Sequence, residues 1–374
     1  MSIESAEAAV LANPDDDRAW QVYSDALQAV GDPRGELIAL QARLARGDDP
    51  AALERERALI AAHLATWLWP EAGPLLEKTR LASGQGVPLD LTWRYGFPSQ
   101  VVIQGVSYRS EVPFPGLGET WLRLASRPEN VRFVRAVTFG SAPVGDEANW
   151  DDAAQAIAAR PPPLLRALTF DRGHYWDISS TSLFGLDGGF WKALPRLEEL
   201  SIEMGQIGLS DIDAPALRSF SVVSSSFDDA CVEAVTQAKW PLLERLSLSF
   251  GDPNYGGLED SASVAALLAG PRPAHHLGLC NAMFSDEFPA MLLSSSWLPG
   301  LTSLDLSDGT LGDAGAQVLL DNRERFRGLT ALNLGHGYFS DEMVERLKAS
   351  FPFVELDDLQ GEAEPDDRYV SVSE

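Results

Sequence analysis

The chain is poor in cysteine, histidine and basic residues. Only Cys231 and Cys280 occur in 374 residues, too few and too far apart in sequence for a disulfide framework or a thiolate metal site. The five histidines are His63, His174, His275, His276 and His336; they form no H-E-x-x-H pair, and neither a C-x-x-C pair nor a Walker-type glycine loop is present. His275 and His276 are consecutive on a strand, so their rings point to opposite faces and cannot chelate one ion together. Gly84-Gln85-Gly86 lacks the third glycine of a dinucleotide fingerprint and reads as a loop. Lysine and arginine number 29 against 55 acids, a formal net charge of -26. Such a surface repels phosphate backbones and anionic lipid, which argues against nucleic acid and membrane as partners and favours a basic protein. No stretch reaches the roughly 18 apolar residues of a membrane helix. The opening MSIESAEAAVLANPDDD has no basic n-region, so it does not read as a signal peptide. A cytoplasmic protein is expected.

Hydrophobic residues make up 45% of the chain, ample for a packed core. The clearest pattern is one phrase written twice between residues 301 and 347: LTSLDLSDGTLGDAGAQVLL, then LTALNLGHGYFSDEMVERL. Leu301, Leu304 and Leu306 fall in the spacing L-x-x-L-x-L, and Leu329, Leu332 and Leu334 repeat it. This resembles the leucine-rich repeat, and the Gly312 to Ala316 continuation is similar to the strand-plus-helix form of ribonuclease-inhibitor-type proteins. The resemblance implies an α/β solenoid, with a curved parallel sheet on the concave face and helices on the convex face.

The strand leucine can be followed through Val137, Leu168, Leu200, Phe220, Leu246, Leu277, Leu304, Leu332 and Leu356, a mean step of about 27 residues, as a strand-plus-helix repeat requires. An apolar partner follows two residues later, from Phe139 to Leu334, so both side chains of each copy turn into the core. Where such repeats usually carry Asn or Cys, this chain has Ala142, Gly173, Gly205, Ser225, Gly251, Ala282, Gly309 and Gly337. The side-chain ladder is largely missing, so water, closer backbone approach or a different turn must satisfy those groups. A further apolar position is kept in most copies, including Val144, Tyr175, Ile207 and Phe227. Trp191, Trp240, Trp297 and Phe326 are expected as plugs between the helices and the next strand. Longer loops are expected near residues 172–186 and 252–262.

Ahead of the repeats, apolar residues at helical spacing mark helices over residues 19–30, 37–47 and 53–68, with Gly31 as a stop. Asn13-Pro14-Asp15, Tyr23-Ser24-Asp25-Ala26-Leu27, Gly31-Asp32-Pro33-Arg34-Gly35-Glu36 and Gln41 resemble a bacterial repeat-companion domain that precedes leucine-rich repeats. The chain departs from that pattern at Ser24 and Ala26, which bears on packing, and the resemblance implies no catalytic residue. The acids Asp15, Asp16 and Asp17 read as a helix start rather than a metal site. The expected divisions are a small all-α helical domain at 1–80, a capping region at 81–130, repeats at 131–356 and an acidic tail at 357–374. The stretch 355–374 holds eight acids and one base and should be solvated. Tyr369, Val370 and Val372 alternate at strand period, either as a capping edge strand or as a linear motif for a partner.

In a repeat array the residues beside each strand leucine stack into one face. The central column is Thr138, Thr169, Ser201, Ser221, Ser247, Gly278, Asp305 and Asn333. The next holds Asp171, Glu203, Val223, Ser249, Cys280, Ser307 and Gly335. The third holds Arg172, Met204, Phe250, Asn281, Asp308 and His336. A partner-binding surface is therefore expected from Asp171, Arg172, Glu203, Phe250, His276, Asp305, Asp308, Asn333 and His336. The expectation is a monomeric, non-enzymatic binding or scaffold protein without cofactor or metal. Its partner would be another protein; the alternative is an inhibitor or immunity-type protein blocking a basic enzyme.

Overall fold

The structure, a computed structural model, describes residues 2–81, 84–107, 110–141, 148–173 and 177–373. Ala142, Val144, His174 and Tyr175 lie outside the described residues. Among those described, eleven strands form one sheet, with Leu89–Arg94, Phe97–Ile103, Ala136–Phe139, Ala167–Asp171, Glu199–Glu203, Ser219–Val223, Arg245–Gly251, His276–Ala282, Ser303–Asp305, Ala331–Asn333 and Val354–Glu355 side by side in chain order. The first two pair antiparallel as a hairpin and every later pair is parallel. The sheet thus begins at Leu89, inside the segment expected to be a capping region.

The register confirms eight of the nine markers and corrects the last. Val101, Val137, Leu168, Leu200, Phe220, Leu246, Leu277, Leu304 and Leu332 stand opposite one another strand by strand, and the row ends on Val354. Leu356 sits two residues beyond, the spacing that separates Leu334 from Leu332. The row and its partners from Phe139 to Leu334 belong to one continuous core with Trp191, Trp240, Trp297 and Phe326. This in-register stacking of strand and helix makes a leucine-rich-repeat-like solenoid.

Close backbone approach replaces the missing side-chain ladder. A Cβ placed on Gly251 would lie 1.8 Å from the Ser225 carbonyl oxygen, and one on Gly205 would lie 2.0 Å from that of Ile178. The approached carbonyls find partners nearby: Ile178 O accepts from Thr181 Oγ1 at 2.6 Å, Ser225 O accepts from Asp252 N at 3.1 Å, and Gly205's own carbonyl accepts from the Ser224 and Ser226 hydroxyls at 2.7 Å.

Of the two stretches expected to be long loops, 172–186 carries a strand, Thr181–Leu186, whereas 252–262 holds a short 3-10 turn at Pro253–Tyr255. Ala148–Asn149, Thr181–Leu186 and Gln206–Leu209 form a second, parallel three-stranded sheet. Between Glu203 and Ser219 the chain is too short for strand plus helix, and Gln206–Leu209 takes the helix's place. Gly84–Gly86 is likewise a strand, paired antiparallel with Thr79–Leu81.

Four helices precede the sheet: α1 (Ile3–Ala12), α2 (Asp17–Ala29), α3 (Pro33–Leu44) and α4 (Pro50–Trp67). Gly31 adopts φ +77° just past α2, the left-handed conformation that ends a helix. Gly35 lets α3 cross close to α2, since a Cβ there would meet Ser24 O and Gln28 N at 2.7 Å. Ser24, the departure from the companion pattern, donates its hydroxyl to Gly35 O at 2.7 Å. The three acids ahead of α2 have separate tasks. Asp15 pairs with Arg135 at 2.8 Å, Asp16 caps Arg18 N at 2.9 Å and Asp17 accepts from Tyr95 Oη at 2.7 Å. Arg135 holds the Asp15 carboxyl below the usual carboxylate range.

Candidate functional site on the open face of the sheet

Strand alternation sends one set of side chains into the core and leaves the other on the face away from it. The central column is in register from Thr138 through Thr169, Ser201, Ser221, Ser247, Gly278 and Asp305 to Asn333, and continues to Glu355. Apart from Gly278 these residues are half-buried or exposed, whereas the marker row beside them up to Leu332 is buried. The central column is thus hydroxyl-bearing and neutral over the first five repeats and gains carboxylates, Asp305 and Glu355, among its last three strands. Asp171 and Glu203 stand opposite each other on adjacent strands, and Arg172 pairs with Glu203 at 2.8 Å.

At the charged end, Gly278 leaves a depression of about 170 Å³ among Arg245, Ser247, His276, Ser303, Asp305, Asn333 and Glu355. His276 reaches it while His275 points away, where its Nδ1 lies 3.0 Å from Gly300 O. Burial, then the neighbouring charge of Arg245, lowers the His276 pKa, so the ring is neutral at physiological pH and is a hydrogen-bonding group rather than a cation. Asp305 and Asn333 each accept the backbone N–H two residues on, from Ser307 and Gly335, at 3.0 Å. Asp171 does the same for Gly173 at 2.6 Å. These turns fix the side chains in place.

Apart from Arg172, the third column does not lie on this face as expected. Phe250 is fully buried and packs against Phe227, Phe284 and Phe288; Met204 is also in the core. Both stand four residues past the marker, and that even spacing gives them core-side parity in an extended strand. In later repeats the same position turns left-handed instead: Asn281 near the end of its strand, and Asp308, His336 and Asp358 beyond theirs, have positive φ, 55°, 64°, 62° and 56°. Asn and Asp tolerate that conformation better than most residues, so the residue types carried a signal that the strand count obscured. His336 is buried and Asp308 half-buried. Of the residues expected to bind a partner, Asp171, Arg172, Glu203, His276, Asp305 and Asn333 remain on or beside the open face, while Phe250, Asp308 and His336 do not form part of its floor.

The two thiols are poor nucleophiles. Burial pushes Cys231 up to about 12 and raises Cys280 well above its ordinary value, helped by Asp305 and Asp308; both stay protonated at neutral pH. Among the described residues no group of three or more His, Cys, Asp or Glu side chains is placed to share a metal ion, and no helix is long and apolar enough to cross a membrane. The larger recess, about 710 Å³, lies between α3, α4 and the Trp93 to Tyr95 turn. Its Gln41 is committed to structure, donating to Glu56 Oε1 at 2.7 Å and accepting Gly96 N at 2.8 Å.

The fold is shared with a solved structure of a protein from Bacteroides fragilis, which matches 67% of this chain and 72% of its own, at 25% identity and a TM-score of 0.60. An internalin (inlF) of Listeria monocytogenes aligns with 72% of this chain and 84% of its own at 13% identity, but its TM-score of 0.31 is too low to support an argument. No family model matches the chain, and no curated protein matches it.

Proposed function

We propose that the chain is a non-enzymatic scaffold that binds another protein on the open face of its sheet. The observation that carries this reading is the in-register column from Thr138 to Glu355, polar and accessible at every strand but that of Gly278, across strands whose other side faces the core. Short hydroxyl side chains make a flat surface with little rotamer entropy to lose, which suits contact with a broad protein surface. Blocking of a basic enzyme has less support, because the column is neutral as far as Gly278 while the -26 charge is spread over the whole chain.

Replacing Thr169 and Ser221 together by arginine places two long charged side chains in the middle of the floor. Proteins captured from the native cell extract by the unsubstituted chain should be lost, with the melting temperature little changed. An identical captured set would refute use of this face. Capture across a salt series separates the readings further, since electrostatic steering fades with ionic strength.

A further inference from the structure

The acidic segment expected to be solvated folds back across the turns at the C-terminal ends of the last strands. Its residues 368–372 form no strand; they run extended past three successive repeats. Tyr369 O accepts from Tyr338 Oη at 2.9 Å, Tyr369 N donates to the same hydroxyl at 3.1 Å, and His336 Nε2 lies 3.3 Å from Tyr369 O. Ser371 N donates to Asp308 O at 2.8 Å. Asn281 grips both backbone groups of Val372, accepting from its N at 2.8 Å and donating to its O at 2.7 Å. Val370 is buried, while the Tyr369 side chain is 58% exposed.

Arg368 enters a socket held mostly by other elements, the tail itself adding only Ala363 O, which accepts from Arg368 Nε at 3.0 Å. The Asp286 Oδ1 atom accepts Gly312 N at 2.8 Å and Gly315 N at 3.0 Å, which aims Oδ2 at the Arg368 guanidinium, 2.9 Å away. Thr310 O accepts from the same guanidinium at 3.1 Å, and the Tyr338 ring lies 5.8 Å from its centre. Gly312 makes the room, since a Cβ there would lie 2.3 Å from Arg368 Nη1. The socket and the Asn281 clamp are therefore preorganised without the segment that fills them.

We propose that this groove is a second peptide-binding site, specific for an extended segment with arginine followed two residues later by an aliphatic side chain, and that residues 368–372 occupy it in cis. The contacts outside the tail read one arginine, one small aliphatic residue and otherwise backbone, so any chain with that spacing meets all of them except the Ala363 carbonyl. The connector from Asp357 to Asp367 is mostly exposed and carries no base, and it lies on a molecule of charge -26. Self-repulsion of the connector favours release, whereas a basic incoming peptide is attracted. This deepens the scaffold reading by adding a partner class, but stands on residues outside the open face.

The test uses the full chain and a fluorescent synthetic peptide, Arg-Tyr-Val-Ser-Val. Arg368→Glu sets a like charge against Asp286 and should open the groove, raising peptide affinity at least about tenfold over the unsubstituted chain. Adding Asp286→Asn, which still accepts both backbone N–H groups, should abolish the gain, as should replacing the peptide's arginine by glutamate. Equal affinity of the single variant and the unsubstituted chain, or no binding to either, overturns the proposal. Hydrogen exchange on the unsubstituted chain gives a check that does not depend on any variant. The Ser371 and Val372 amides should exchange at least about tenfold faster than those of Leu306 and Leu334, and equal protection overturns displacement. Thr169→Arg with Ser221→Arg should leave peptide binding unchanged, so failure of the open-face reading and failure of this one are told apart.

Discussion

The two ends of the sheet are closed by different physics. At the Leu89–Arg94 end the helices contribute Trp20 and Tyr23 to a cluster with Tyr95, Phe97 and Phe133. Trp20 stacks on Tyr95 with centroids 4.8 Å apart, Tyr23 stacks on Phe97 at 5.8 Å, and Phe97 meets Phe133 at 4.7 Å. At the other end the last turns are covered by a segment held through hydrogen bonds, one ion pair and a single buried valine. The helices pack on the first hairpin, whereas the covering segment lies over the turns of the last repeats. Aromatic burial stabilises its closure by several kcal/mol, whereas each polar contact contributes about 1 kcal/mol net. The first closure rests on buried apolar area and the second on the geometry of separate polar contacts.

The largest expected effect breaks the apolar end. Trp20→Ala removes the ring that joins helices and sheet and should cost about 3–5 kcal/mol in a denaturant melt, with the helices losing exchange protection before the repeats. A smaller effect tests the polar end. Tyr338→Phe deletes one donor and one acceptor to Tyr369, so it should cost about 1–2 kcal/mol and speed exchange at the Tyr369 amide while leaving α1 to α4 protected. A loss as large as that of Trp20→Ala would erase the contrast.

The smallest effect concerns the turn beneath the covering segment. Burial, and then the charge of Asp305, raise the pKa of Asp308. A carboxyl raised in the folded state binds its proton more tightly there than in the unfolded chain. Its ionisation therefore costs stability as pH climbs from the unfolded value through the folded one, and the penalty stays constant above that window. Asp308→Asn keeps the positive φ and should raise the melting temperature slightly at pH 7, a gain that disappears once pH falls below the ordinary carboxylate range. A gain independent of pH would assign the effect to something other than charge.

Local pattern was enough where the physics is local. Alternation with period two fixed the marker row and the central column from Val137 to Leu332, because a one-residue slip would expose every core side chain. Phe250 was misplaced because the same parity was not carried two residues further along its strand. Leu356 reads as a marker from its residue type, but the final marker is Val354 and Leu356 is the apolar partner two residues on. The strands at Thr181–Leu186 and Gln206–Leu209 were missed because each is stabilised by pairing with strands in neighbouring repeats rather than by its own residues.

What the sequence determined unaided is the repeat, its register and the side of the sheet that stays polar, since these follow from side-chain hydrophobicity read at a fixed period. Tertiary structure alone decided the rest. Asp286 became an arginine socket because two amides from the next repeat orient it, and Asn281 became a backbone clamp because the chain returns 91 residues later. Such contacts depend on distances between residues remote in the chain, which no local pattern encodes.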